Sequence, residues 1–231
     1  MATFSVLVLT AAPPGLGGEA GGAFVKIDGR EALLRSVELF LNRDPIKQIQ
    51  LALIPEQMEQ SKQKFGAHLG FSGVKLLSGG PRWIDQIAAA LATVSPDATH
   101  VIVHDAARPV VAYSDIDALI TAAEKYPVAA LASPLRAGLV ETDEGGNPVA
   151  FHSPAHYQNV LTPQVFSRAA FTEFASKKTE LHPSRWTLVS GSPLNIRVGG
   201  PTDAVLAKAM IGLLPKPKMK AGLSPFDEAQ W

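Results

Sequence analysis

A carboxylate and a guanidinium three residues apart, Asp105 and Arg108, close an apolar, β-branched run, Val101-Ile102-Val103. Such a run suits a strand buried on both faces of a parallel sheet, and the polarity begins where that strand should stop, at His104-Asp105. In open α/β sheets ligands sit in the crevice beyond the carboxyl ends of the strands. There Asp105 can hold a cation or a hydroxyl, and Arg108 can hold phosphate. Pairing of Asp105 with Arg108, or capping of the segment before Ser114, would account for the same two residues without any ligand.

Three further stretches carry residues of this kind. The segment from Ala11 and Ala12 to Gly22 is rich in glycine, including Gly15 and Gly17, and follows an apolar run from Phe4. Residues without Cβ let backbone N–H groups approach an anion, so a loop of this composition after a first strand can cradle phosphates. Neither the Walker pattern nor G-x-G-x-x-G is present, which leaves a plain connection as the alternative. Lys26 lies just beyond it, and no arginine occurs between 1 and 29. The second stretch is Ser78-Gly79-Gly80-Pro81-Arg82, where Arg82 is a phosphate ligand or a solvated helix residue. The third comprises Thr162-Pro163-Gln164-Val165-Phe166 and Leu194-Asn195-Ile196-Arg197-Val198. Thr162 could instead cap a following helix with Pro163 in its first turn. His152 and His156 are four apart, but Pro154 between them argues against the helical geometry a metal pair needs.

The elements that must position these residues follow from periodicity. Strands are expected at 4–10, 46–54, 74–77, 101–103 and 128–132, and helices at 31–41, 57–65, 84–94, 115–124, 169–176 and 204–214, with Ser114 capping the fourth. Their alternation predicts a parallel sheet with right-handed crossovers. Between 136 and 161 the alternation lapses into a β-hairpin, 139–141 and 149–151, around Asp143-Glu144-Gly145-Gly146-Asn147. Residues 215–231 show no periodicity and read as a mobile tail unless Phe226 and Trp231 dock.

Composition bounds the rest. At 231 residues, 46% hydrophobic and 18% charged, the chain suits one α/β domain over 1–214. No apolar run is long enough to cross a bilayer. With no cysteine and no basic leader, the cytoplasm is the expected compartment. The balance of 21 basic and 21 acidic residues provides no electrostatic case for nucleic acid or an anionic membrane.

The run His-Asp-Ala-Ala-Arg-Pro at 104–109 resembles the signature of the 2-C-methyl-D-erythritol 4-phosphate cytidylyltransferases, and Thr162-Pro163-Gln164-x-Phe166 resembles the word that family carries after its arm. The resemblance implies a Rossmann-like nucleotidyltransferase fold, a mostly parallel twisted sheet flanked by helices, with the 136–161 arm making a homodimer. It implies transfer of CMP from CTP to 2-C-methyl-D-erythritol 4-phosphate in the non-mevalonate route to isoprenoid precursors, with release of pyrophosphate and help from Mg²⁺. On this pattern Asp105, Arg108 and Lys26 are catalytic, with Asp105 also the metal ligand. Thr162 and Arg197 bind the acceptor, while Ala11, Ala12, Gly15, Gly17, Gly79, Gly80 and Arg82 bind the nucleotide.

The sequence also departs from that pattern. Gly21-Gly22 stand where the family has Pro-Lys, the loop arginine is missing, and Gly138 and Pro154 replace the arm's threonine and arginine. Gln86, or Asp85, stands for a serine that contacts the nucleotide; 181–189 lacks the acidic substrate word, and Arg197 replaces a lysine. These departures leave two other readings open: a non-catalytic or repurposed homologue, and a nucleotidyltransferase for another polyol or sugar phosphate.

Overall fold

The computed structural model describes residues 1–14 and 22–214. Gly15, Gly17 and the 215–231 segment therefore lie outside the described residues.

The chain opens with β1 (Phe4–Leu9), then a short pair, β2 (Lys26–Ile27) and β3 (Arg30–Glu31), and α1 (Ala32–Glu38). Next come β4 (Ile46–Leu53), α2 (Pro55–Phe71), β5 (Val74–Ser78), α3 (Trp83–Ala90), β6 (His100–Asp105), α4 (Tyr113–Ala123) and β7 (Val128–Pro134). The hairpin is β8 (Leu139–Thr142) with β9 (Pro148–His152). The last elements are β10 (Gln158–Ser167), α5 (Arg168–Lys177), β11 (Thr187–Ser190) and α6 (Pro201–Leu213).

Seven strands form one sheet in the order β11-β7-β10-β6-β1-β4-β5. Pairings β1–β4, β1–β6, β4–β5 and β7–β11 are parallel, and β10 runs antiparallel to both β6 and β7. The sheet is thus mostly parallel, as the alternation predicts.

The two-residue period of a strand sorts side chains between two cores. Phe4, Val6 and Val8 of β1 and Ile102 of β6 pack with Leu33 of α1, Phe65 of α2 and Ile116 of α4. On the opposite face Leu7, Leu9, Val101 and Val103 meet Trp83 and Ile87 of α3 and Phe171 and Phe174 of α5. Helices therefore cover both faces, and β1 and β6 are buried except at His100, which is why they read as apolar runs. A smaller core of Ile27, Val110, Val198 and Ala204 fastens β2 and α6 to the segment after β6.

Several expectations are corrected. Strand β6 continues through His104 and Asp105. Ser114 does not cap α4: Ala112 holds the cap position with no side-chain bond, and Ser114 is the second helical residue. Val110, Val111 and Ala112 are buried, and Ala112 is extended at φ −67° and ψ 139°, so the helix starts where this packed segment ends. Thr162-Pro163 opens no helix but lies inside β10, at the point where the ladder to β7 shifts register between Val160 and Gln164. A proline has no N–H to give a ladder, and it sits where no ladder bond is required. Helix α2 extends over Pro55–Phe71, proline serving in its first turn, and ends before Gly73 at φ +71°.

Candidate active site

The crevice is where the sheet order reverses. From β1 the sheet grows one way through β4 and β5, and the other way through β6. Leu9 of β1 lies opposite Asp105 of β6, and the Ala106 N–H donates to the Leu9 carbonyl at 2.8 Å. The glycine-rich loop therefore departs beside Asp105, at the topological switch point where α/β sheets bind ligands.

Asp105 is completely buried. Its Oδ1 accepts from the Ala107 N–H at 2.9 Å, and its Oδ2 accepts from Arg197 Nε at 2.9 Å. Arg108 Nε stands farther off, 3.7 Å from the same Oδ2. Arg108 Nη1 instead donates to the Asn195 carbonyl at 2.8 Å, and the Val198 N–H donates to the Ala107 carbonyl at 2.8 Å. The 195–198 segment is thus strapped across 105–108. Burial pushes the Asp105 carboxyl above its ordinary value, opposed by Arg197, the Ala107 N–H and Arg108. Burial likewise lowers Arg108, with Asp105 opposing and Arg197 adding to the effect. Both carboxyl oxygens face donors, so the surroundings are built for the carboxylate.

Among the described residues, charge at this point does not balance. One carboxylate meets two guanidinium groups, and Arg108 Nε and Arg197 Nη2 are buried without a hydrogen-bond partner. Excess positive charge with idle donors suits an anion such as phosphate.

Thr162 stands beside this cluster in a different role from the one expected of it. The His104 Nε2 lies 3.0 Å from the Arg108 carbonyl, which can only accept, so Nε2 carries the proton. Nδ1 is then an acceptor, and the Thr162 hydroxyl, 3.1 Å away, donates to it. Thr162 Oγ1 in turn accepts from the Asp105 N–H at 3.1 Å. The only hydroxyl proton is committed, and Thr162 is buried, so in this arrangement it holds the end of β6 and has no proton to offer a phosphate. His104 is fully buried among apolar neighbours, and burial pulls it down to about 3, which keeps the imidazole neutral.

The remaining candidates are not drawn into the cluster. Lys26 is exposed on β2 and lines a groove with Val25, Asp28, Pro201, Val205 and Lys208 along α6. Its register partner is Glu31, and no hydrogen bond or ion pair joins it to Asp105, Arg108 or Arg197. Arg82 is exposed and pairs with Asp85 of its own helix through Nε and Nη2 at 2.7 and 2.8 Å. Gly79 and Gly80 are small because α3 crosses them: a Cβ would lie 2.9 Å from Gln86 Cα and 2.7 Å from Asp85 Cβ, respectively. Ala11 is buried and its N–H donates to Gln86 Oε1 at 3.2 Å, while Ala12 is half-buried. Gln86 Nε2 reaches Thr10 Oγ1 at 3.3 Å, so this fully buried amide ties the mouth of the loop to α3.

Gly22, at the far end of the loop, is wedged between the same two strapped segments. A Cβ there would lie 2.1 Å from the Val198 carbonyl oxygen and 3.1 Å from Ala107 Cβ. At the position of the family's lysine, this backbone leaves no room for a side chain.

Asp105 does not fit as a ligand for Mg²⁺. Its oxygens are engaged by a backbone N–H and by Arg197, and a second guanidinium stands close by, so a cation would meet repulsion rather than a shell of open oxygens. Among the described residues no three His, Cys, Asp or Glu side chains converge as a metal site. Two residues of the cluster, His104 and Asn195, carry no site role on sequence grounds. A histidine inside an apolar strand must find two partners when buried, and that is the signal that could have pointed to it.

The sequence matches the family described as 2-C-methyl-D-erythritol 4-phosphate cytidylyltransferase over residues 6–212. Proteins of that name from Rhodopirellula baltica and Frankia casuarinae are 27% and 29% identical to it. The first alignment covers 84% of this chain and 88% of the relative, the second 93% and 80%. The crystal structure of the Thermus thermophilus protein of that name superposes with a TM-score of 0.67 at 25% identity, covering 88% of this chain and 96% of that one. A 4-diphosphocytidyl-2C-methyl-D-erythritol synthase from Anaerococcus prevotii shares the fold at TM-score 0.73 and 17% identity, over 91% and 96% of the two chains. With the match running over nearly the whole described chain and the two sequence words falling at one crevice, this chain belongs to the 2-C-methyl-D-erythritol 4-phosphate cytidylyltransferase family.

Proposed function

We propose that this protein transfers a cytidylyl group from CTP to 2-C-methyl-D-erythritol 4-phosphate. An oxygen of the acceptor's phosphate attacks the α-phosphorus in line; the new P–O bond forms as the bond to the β-phosphate bridge breaks, and pyrophosphate leaves. The observation that carries the reading is the surplus, among the described residues, of guanidinium over carboxylate at the end of β6, beside the start of the nucleotide loop. In it Arg197 and Arg108 receive the acceptor's phosphate, and Asp105 holds the two guanidinium groups in place. Backbone N–H groups of the loop after Ala11 and Ala12 receive the triphosphate, beside Gly79 and Gly80, whose lack of a side chain lets α3 pack close. No step is routed through a protein-bound metal, because Asp105 does not fit as its ligand.

The same reading takes 1–214 as one nucleotidyltransferase-like domain working in the cytoplasm and assigns the 136–161 arm to a homodimer. Support for the arm is its exposed apolar surface, Phe151 at 85% and Val149 at 62%.

Calorimetry with CTP, followed by pyrophosphate release on adding the acceptor, tests the reading. Binding followed by release is expected, with release lost in Arg197→Ala. Absence of binding by CTP and by the other nucleoside triphosphates at millimolar concentration would overturn it.

A further inference from the structure

Four residues around His104 donate to one another head to tail. His104 Nε2–H donates to the Arg108 carbonyl at 3.0 Å, and Arg108 Nη1–H to the Asn195 carbonyl at 2.8 Å. Asn195 Nδ2–H donates to the Thr162 carbonyl at 2.7 Å, and the Thr162 hydroxyl returns to His104 Nδ1 at 3.1 Å. The bonds run in a single sense around a closed ring, and all four residues are buried. The ring joins three stretches distant in sequence: the end of β6, the irregular point of β10 and the 195–198 strap. Only the neutral imidazole with its proton on Nε2 lets it close.

We infer that His104 is a positioning residue that sets the Arg108 guanidinium, and through Thr162 the backbone of Asp105, for the acceptor's phosphate. The inference rests on the reading above that Arg108 and Arg197 receive that phosphate. Several features separate this role from simple packing. Arg108 spends one N–H on the ring, which fixes the direction of the others. The Asp105 N–H enters the ring at Thr162 Oγ1, so the carboxylate and the guanidinium share one frame. Each link is buried, so cutting one leaves a donor or acceptor unpaired and frees the side chain it held.

Two substitutions cut the ring at different links. His104→Asn keeps an acceptor near the Nδ1 position and loses the donor to Arg108. His104→Gln keeps a donor near the Nε2 position and loses the acceptor for Thr162. Both are expected to raise the acceptor KM about tenfold or more while leaving the CTP KM unchanged, since each loses a buried hydrogen bond that orients Arg108. In the wild type, nitrogen NMR should show a neutral His104 protonated on Nε2 and slowly exchanging Arg108 guanidinium protons, which both variants lose. An unchanged acceptor KM in both variants overturns the inference. If the wild type turns nothing over, the proposed function fails, and the NMR arm alone decides: loss of the Arg108 signals in both variants upholds the ring. Unaltered Arg108 signals, or a wild-type imidazole protonated on Nδ1, overturn it. Should neither variant fold, Thr162→Val cuts the same ring without touching His104, and Thr162→Ser, which keeps the hydroxyl, must restore the wild-type acceptor KM.

Discussion

Asp105 is fully buried where it meets the half-buried Arg197, so removing one charge strands the other. Asp105→Asn preserves shape and leaves two guanidinium groups without a counter-charge; a loss of about 3 kcal/mol in urea denaturation is expected, as for other broken buried pairs. Pyrophosphate release should fall with it. His104 provides a second test at this scale. Its folded value, about 3, lies below the ordinary 6.5, so the unfolded chain binds the proton more readily, and stability falls as pH drops from 6.5 toward 3. Between pH 6.5 and 5 the loss due to this residue should be about 2 kcal/mol. Denaturation midpoints of the wild type and His104→Gln should converge over that interval, because the variant has no imidazole to charge. A wild type with no steeper pH dependence than the variant would contradict the assigned burial.

At the scale of elements, the loop end, the strap and the hairpin each carry a consequence. Gly22 lies against the carbonyl of Val198 so closely that Gly22→Lys, which restores the family's residue, must displace the strap. That variant should lose about 2 kcal/mol or more, as overpacked sites do, and should gain no turnover. The backbone at Gly22 thus has no room for the lysine that the resemblance places there. In the hairpin, Phe151 and Val149 are exposed to a degree unusual for apolar residues. On the proposed homodimer, Phe151→Asp should shift the mass measured by light scattering from dimer to monomer without lowering the melting temperature of the monomer; a monomeric wild type, or an unaltered mass in the variant, would overturn the proposed role of the arm.

For the whole molecule, two cores lie on either side of one sheet and share its central strands. Unfolding one without the other would leave β1 and β6 with a bare face. Urea transitions followed by circular dichroism and by tryptophan fluorescence should therefore coincide, as two-state domains show. Separate midpoints would argue for independent units within 1–214.

How much of this was legible varies with the physical origin of each feature. Strands β1, β6, β7 and the second half of β4 are buried on both faces, and the resulting apolar runs, with the short apolar run of edge strand β5, can be read directly; helices announce themselves by the spacing of the residues that face the sheet. The return of β10 between β6 and β7 in the opposite sense, and the edge strand β11, leave no such mark, since pairing partners are chosen by chain topology. The sequence alone determined that charge would gather at the end of β6, because an apolar strand that stops at His104-Asp105 leaves its polar residues at the mouth of the crevice. Only the tertiary structure decided which cation takes the carboxylate. Arg108 is three residues from Asp105 but is turned away to the Asn195 carbonyl, while Arg197, 92 residues along the chain, donates at 2.9 Å. That exchange depends on the strap closing across 105–108, and such a closure is a matter of packing between distant segments.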